Sequence, residues 1–163
     1  MILIGLGANL PGAHGGPVET LEAALAALER SGVVIEARSR WYETAPVPVS
    51  DQPWYVNGVA RIRSDLGPGP LLALLHRAEA ALGRIRSVVN APRAVDLDLL
   101  DHHGRIERDW PVLPHPRLAE RAFVLAPLDE VAPDWRHPVT GEGAAALLAA
   151  LPPGQEIRLK TDG

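Results

Sequence analysis

Cysteine is absent from the 163 residues, which excludes a disulfide scaffold, a thiolate metal site and a cysteine nucleophile. Aromatic residues make up only 4%, with a single phenylalanine, Phe123, so the place of each ring is informative. Lysine occurs once, at Lys160, and the rest of the sixteen basic residues are arginine, whose planar fork suits phosphate oxygens. Those sixteen face twenty acidic residues, a net charge of −4, so the basic surface that nucleic acid requires is missing. No apolar run approaches the roughly 20 residues of a membrane span. The opening Met-Ile-Leu-Ile-Gly-Leu-Gly has neither a basic leader nor a small-residue cleavage site. The expectation is a cytoplasmic protein with no membrane or nucleic-acid partner.

What is present is ordinary for a folded domain: 47% hydrophobic and 22% charged residues. The length predicts one domain over residues 1–163. An apolar run at 2–6, ended by glycines, reads as a buried strand. Its Gly5-Leu6-Gly7-Ala8-Asn9-Leu10 continuation fits neither GxGxxG nor GxxxxGK[ST], so neither nucleotide fingerprint is there. Gly16-Pro17 opens a helix with Val18, Leu21, Leu25 and Leu28 on one stripe and Gly32 as its stop. Alternation predicts strands over 33–42 and 55–64, separated by a proline-rich loop over 44–53. Pro68 and Pro70 start a second helix, with Leu71, Leu75, Ala78 and Leu82 on its stripe and Gly83 as its stop. A strand over 94–100 and short helices near 118–125 and 143–151 complete the pattern. The order β-α-β-β-α-β predicts an α+β, ferredoxin-like core, a mainly antiparallel sheet with packed helices and a C-terminal extension.

Asp96-Leu97-Asp98 carries the sharpest chemistry. Residues two apart in a strand share a face, so both carboxylates point one way and Val95, Leu97 and Leu99 the other. Two readings stand on spacing alone, a solvated strand face or an Mg²⁺ site that is completed by substrate phosphates. Arg84, Arg86 and Arg93 lie close by in sequence, as surface salt-bridge partners or as bidentate phosphate ligands. His115 is held between Pro114 and Pro116, which would help to aim it, though a loop histidine also serves simply as surface. His102-His103 in Asp-His-His-Gly is expected to be a solvated hairpin turn. Tyr55 and Asn57 share a strand face; with Phe123 they form either core boundary or a sandwich for a flat heterocycle whose edge an amide reads.

These segments together resemble the 6-hydroxymethyl-7,8-dihydropterin pyrophosphokinase family of folate biosynthesis. The resemblance covers about residues 1–135. Its specific parts are Pro92-Arg93-Ala94-Val95-Asp96-Leu97-Asp98-Leu99-Leu100, Pro114-His115-Pro116 and Arg121-Ala122-Phe123-Val124-Leu125-Ala126-Pro127-Leu128. Supporting parts are Tyr42-Glu43-Thr44, Asp51-Gln52-Pro53 with Tyr55 and Asn57, and Gly83-Arg84-Ile85-Arg86. The resemblance implies transfer of the terminal pyrophosphate of ATP to the hydroxymethyl oxygen of the pterin, leaving AMP; a monomer is the expectation. By the same likeness Asp96 and Asp98 hold two Mg²⁺ ions, and Arg84 and Arg93 complete the catalytic set. Glu79, Arg84, Arg93, Leu99, His115 and Arg121 would meet ATP. Thr44, Ala45, Val47, Tyr55, Asn57 and Phe123 would form the pterin pocket. The family uses the loop over 87–91 as a lid; here it reads Ser87-Val88-Val89-Asn90-Ala91, without the Trp that some members carry. Trp110-Pro111-Val112 stands where a basic residue often precedes the Pro-His-Pro motif.

Other classes remain to be separated from this one. A ligand-binding module of the same fold would have no use for paired strand carboxylates. An RNA-binding sheet would show stacked aromatics and basic strands. A metal phosphohydrolase would share the aspartates and differ in its products.

Overall fold

A computed structural model describes residues 1–10, 14–45, 53–83 and 95–161. Along the chain run β1 (Ile2–Ala8), α1 (Pro17–Arg30), β2 (Val34–Arg38), β3 (Tyr42–Thr44), β4 (Tyr55–Arg63), α2 (Pro68–Ala81) and β5 (Asp96–His102). A 3-10 turn (Leu118–Glu120), α3 (Ala122–Val131), α4 (Ala144–Ala149) and β6 (Ile157–Leu159) follow. The six strands form one sheet in the order β5-β1-β4-β3-β6, with β2 also on β4, and the pairings described are antiparallel. This is the expected α+β, ferredoxin-like order with an extension behind it.

β1 lies between β5 and β4, buried along its whole length. Its even residues, Ile2, Ile4 and Leu6, join Val56, Ala60, Ile62, Leu97 and Leu99 in a core closed by Leu21, Leu25 and Leu28 of α1 and Leu71 and Leu75 of α2. The two helix stripes read from the sequence are therefore the buried faces. On the other face Leu3 packs with Val59, Leu100, Leu125, Leu128 and Leu147, so α3 and α4 cover that end. Its next two outward positions are Gly5 and Gly7, which carry no side chain.

The expected first strand ends too early, because the glycines continue it rather than stop it. A Cβ on Gly7 would lie 2.7 Å from Asn57 Nδ2, so the neighbouring amide occupies that space. The single strand expected over 33–42 is two strands. Between them β4 advances three residues while the edge chain advances four, from Arg38 opposite Ala60 to Tyr42 opposite Asn57. Ser39 spans this mismatch: its N–H donates to Val59 O at 2.9 Å and its hydroxyl accepts the Val59 N–H at 3.0 Å. The helix expected near 118–125 is instead the 3-10 turn, a break at Arg121, and α3 continuing to Val131. β6 was not expected at all; three residues with one alternation fall below any periodicity signal.

The second histidine expectation also changes. His102 ends β5 and is buried, its Nε2 donating to Leu66 O at 2.9 Å, while His103 alone occupies the exposed turn. A register shift between Leu3 and Ile4 re-phases β5 there and brings Asp101 opposite Leu3. Buried Asp101 then accepts the Trp135 indole N–H at 2.6 Å and the Gly104 N–H at 2.9 Å, tying the C-terminal layer to the sheet. Asp101→Ala leaves that indole unsatisfied and should cost about 2 kcal/mol. A lower urea midpoint with an unchanged slope is the expected result, and Asp101→Asn, which keeps one acceptor, should lose less.

Candidate active site

The two strand aspartates flank the glycine gap of β1. Asp96 is opposite Gly7 and Asp98 opposite Gly5, and Asn57 faces Gly7 from the other side. Asp96, Gly7, Asn57 and Tyr42 thus form one row across four strands. Adjacent strands are about 4.8 Å apart, so Asp96 and Asn57 are separated by roughly 10 Å with only a glycine between them. The carboxylates are half-buried, about 6.8 Å apart along the strand, and share a face as the spacing predicts.

β5 is an edge strand, and its free side is occupied by two devices. Glu79 of α2 is fully buried, and its Oε2 accepts the Leu97 N–H at 2.7 Å. On the same strand His115 N–H donates to Leu100 O at 2.9 Å, seating the Pro114-His115-Pro116 segment. The strand that carries both aspartates is therefore pinned from its outer edge. Glu79 belongs to this support, and Leu99, 4% exposed in the α1–α2 core, presents only its backbone to any ligand.

His115 lies within electrostatic reach of both Asp96 and Arg121. Burial holds its pKa below the ordinary 6.5; Arg121 and Arg117 act in the same direction and Asp96 opposes them. Its Nδ1 accepts the Arg117 N–H at 3.2 Å, which leaves the ring proton on Nε2. Arg121 stacks over the Phe123 ring, with its guanidinium carbon 5.3 Å from the ring centre.

A second group lies beyond Asn57. Thr44 hydroxyl donates to Asn57 Oδ1 at 2.8 Å in a buried contact, which fixes the amide and turns its NH₂ toward the Gly7 side. Asn57 is 7% exposed. Tyr55 stands opposite Thr44 at the start of β4, on the Asn57 side of the strand by alternation. Thr44 and Ala45 form one wall of a small cleft, Ala122 and Phe123 the other, and Gln155, Glu156 and Ile157 close it between them. Tyr42 hydroxyl donates to Glu130 at 2.6 Å, joining this edge to α3; burial and that carboxylate push the phenol up to about 12.

The structure thus brings together Asp96, Asp98, His115 and Arg121 on one side, and Thr44, Ala45, Asn57 and Phe123 on the other, with Tyr55 alongside. Arg84, Arg93, Val47 and the loop over 87–91 lie outside the described residues. Gln155 and Glu156 were missed by sequence reasoning, since no local pattern links them to residues more than thirty positions earlier. Among the described residues no three or more His, Cys, Asp or Glu side chains gather as a metal cage. Two hard carboxylate oxygens on a rigid strand nevertheless fit Mg²⁺, which typically takes one or two carboxylates and fills its octahedron with phosphate oxygens and water.

A profile of the 7,8-dihydro-6-hydroxymethylpterin-pyrophosphokinase (HPPK) family matches residues 3–133. The chain is similar to the 2-amino-4-hydroxy-6-hydroxymethyldihydropteridine pyrophosphokinase of Methylorubrum extorquens, 39% identical over 152 residues that cover 92% of each. It is also similar to the folic acid synthesis protein fol1 of Pneumocystis carinii, 35% identical over 152 residues. That match covers 92% of this chain and 20% of the relative, so the chain spans about a fifth of that protein's length. Among solved structures, a Plasmodium falciparum HPPK-DHPS triple mutant superposes with a TM-score of 0.68 at 14% identity, over 91% of this chain and 43% of that one. At that identity the likeness is one of fold.

The His115 environment has a pH consequence. With its folded pKa below 6.5, the unfolded chain binds this proton more readily, so the stability it contributes is complete above about 6.5 and lost as pH falls below that value. A ring-proton titration by NMR should place the His115 midpoint below 6.5. Addition of an inorganic triphosphate should raise it, because an anion beside the ring favours the imidazolium.

Proposed function

Because the chain belongs to the 7,8-dihydro-6-hydroxymethylpterin-pyrophosphokinase family, we propose that it transfers the terminal pyrophosphate of ATP to the hydroxymethyl oxygen of 6-hydroxymethyl-7,8-dihydropterin, releasing AMP. The observation that carries this reading is the row Asp96–Gly7–Asn57. It sets a carboxylate pair suited to metal-bound phosphates about two strand spacings from a fixed amide. Phosphoryl transfer asks mainly for positioning and charge stabilisation, and a rigid sheet face supplies the first.

In this reading Asp96 and Asp98 would hold two Mg²⁺ ions, and the metal would supply neutralisation of phosphate charge. His115, with a proton on Nε2, donates to a phosphate oxygen, and Arg121 adds a permanent positive charge. Arg84 and Arg93 complete the phosphate set on the strength of the sequence resemblance. The Asn57 amide, oriented by Thr44, reads the edge of the pterin, and Phe123 supplies a stacking face with Tyr55 beside it. Ala45 lines the remaining wall of that pocket, and Val47 is assigned to it on the strength of the sequence resemblance alone. Glu79 serves the nucleotide side by holding β5, and Leu99 contacts it through its backbone. The enzyme works as a monomer over residues 1–163 in the cytoplasm. No helix among the described residues is long and apolar enough to cross a membrane.

Incubation with ATP, Mg²⁺ and the hydroxymethyl pterin should yield AMP and the pterin diphosphate. ADP and free phosphate would instead indicate a kinase or a phosphohydrolase. Asp96→Ala and Asp98→Ala should each lower kcat by about three orders of magnitude, the several kcal/mol that a metal ligand contributes to the transition state. Their circular dichroism should remain that of the parent. Either variant with a third of the parent turnover would remove the metal role.

A further inference from the structure

The C-terminal segment meets the cleft from both sides at once. Gln155 Nε2 donates to Glu120 O and its Oε1 accepts the Ala122 N–H, each at 2.8 Å. The two partners are the backbone groups on either side of Arg121, which has an extended backbone between the 3-10 turn and α3 (φ −117°, ψ 112°). One planar amide therefore clamps the peptide units around the residue where the chain changes direction. It also satisfies one of the amide groups that the first turn of α3 leaves unpaired. Arg121 and Phe123 project from this clamped stretch, one stacked on the other.

The next residue acts on the opposite wall. Glu156 O accepts the Ala45 N–H at 3.2 Å, and Ile157 lies opposite Thr44 in the β3–β6 pairing. Three consecutive residues, 155–157, are thus tied to Thr44 and Ala45 on one side and to the base of Phe123 on the other. This short extended segment therefore bridges the two walls, beside the Tyr42–Glu130 bond that also joins β3 to α3.

We propose that Gln155 is a positioning residue for the heterocycle: it sets the width of the slot between the Thr44–Ala45 wall and the Phe123 ring. The inference rests on the reading of that cleft as the pterin pocket. A flat ring stacks only when its two faces are met at van der Waals distance, so a slot that opens by a fraction of an ångström loses contact on one face. The phenyl ring has few torsions with which to follow the gap. Arg121, with a long flexible side chain, can still reach a phosphate from a slightly displaced backbone.

Gln155→Ala and Gln155→Glu test this by isothermal calorimetry and steady-state kinetics, with 6-hydroxymethylpterin and a non-hydrolysable ATP analogue as binding probes. Losing both clamp bonds should raise Kd and KM for the pterin about tenfold, while nucleotide Kd and kcat at saturation change less than about threefold. In Gln155→Glu a carboxylate still accepts the Ala122 N–H but faces the Glu120 carbonyl without a proton to donate. Its pterin defect relative to the parent at each pH should therefore shrink from pH 7.5 to pH 5, whereas the Gln155→Ala defect should not change. A lower melting temperature with unaltered pterin affinity in both variants overturns the proposal and leaves Gln155 as a helix cap. Equal losses for pterin and nucleotide also overturn it. A parent protein that binds no pterin overturns the reading of the cleft, and a parent that binds it normally beside unaffected variants overturns only the role of Gln155.

Discussion

β1 exchanges backbone hydrogen bonds with β4 on one side and β5 on the other, and the row Asp96–Gly7–Asn57 is read across that double ladder. The pleat gives the sheet two faces with opposite demands. The even residues of β1 form part of a closed apolar core, while its odd residues past Leu3 must leave room for polar groups from both neighbours. Gly7 meets that second demand, because any Cβ there would enter the space of the Asn57 amide, while Gly5 lies against Leu100. Glycine normally weakens a strand interior. Here β1 tolerates two because pairing on both edges and burial of Ile2, Ile4 and Leu6 hold it in place.

The same economy governs the edge that bears the aspartates. An unpaired strand edge next to two negative charges would be both frayed and open to unwanted pairing. Glu79 and the His115 backbone occupy it instead. A fully buried carboxylate is costly unless its oxygens are satisfied. Its placement under Leu97 makes the alignment of β5 depend on α2, so the α1–α2 core and the carboxylate pair are mechanically one unit. On the other flank, the Tyr42–Glu130 bond and the Gln155 clamp couple α3 to the β3 edge.

What the sequence reveals of all this follows the range of the signals. The helices were legible because apolar stripes, N-terminal prolines and terminal glycines are local. The carboxylate pair was legible because a period of two is the strand's own geometry. The break at Ser39 was not, since it arises from a one-residue mismatch between two strands that lie twenty positions apart. Burial of His102 was equally hidden: a bulge beside Leu3 re-phases the end of β5, and nothing in Asp-His-His-Gly announces it. Of the proposed pocket residues, Asn57 and Phe123 were singled out by residue type and strand face, and Thr44 only by resemblance to a family. Gln155 escaped because its partners, Glu120 and Ala122, are joined to it only through the folded tail.

The pairing of β6 with β3 also orders events in time. Residues 42–45 are synthesised more than a hundred positions before residues 155–159, and during translation the earlier parts of a chain fold first. The sheet can add β4 and then β5 to β1 while the tail is still being made, so the face that carries the aspartates is built before the slot for the ring exists. When residues 155–159 leave the ribosome they add the last contacts between the β3 edge and the start of α3. A nascent chain halted just short of that point would hold a nearly finished sheet whose cleft lacks its closing segment.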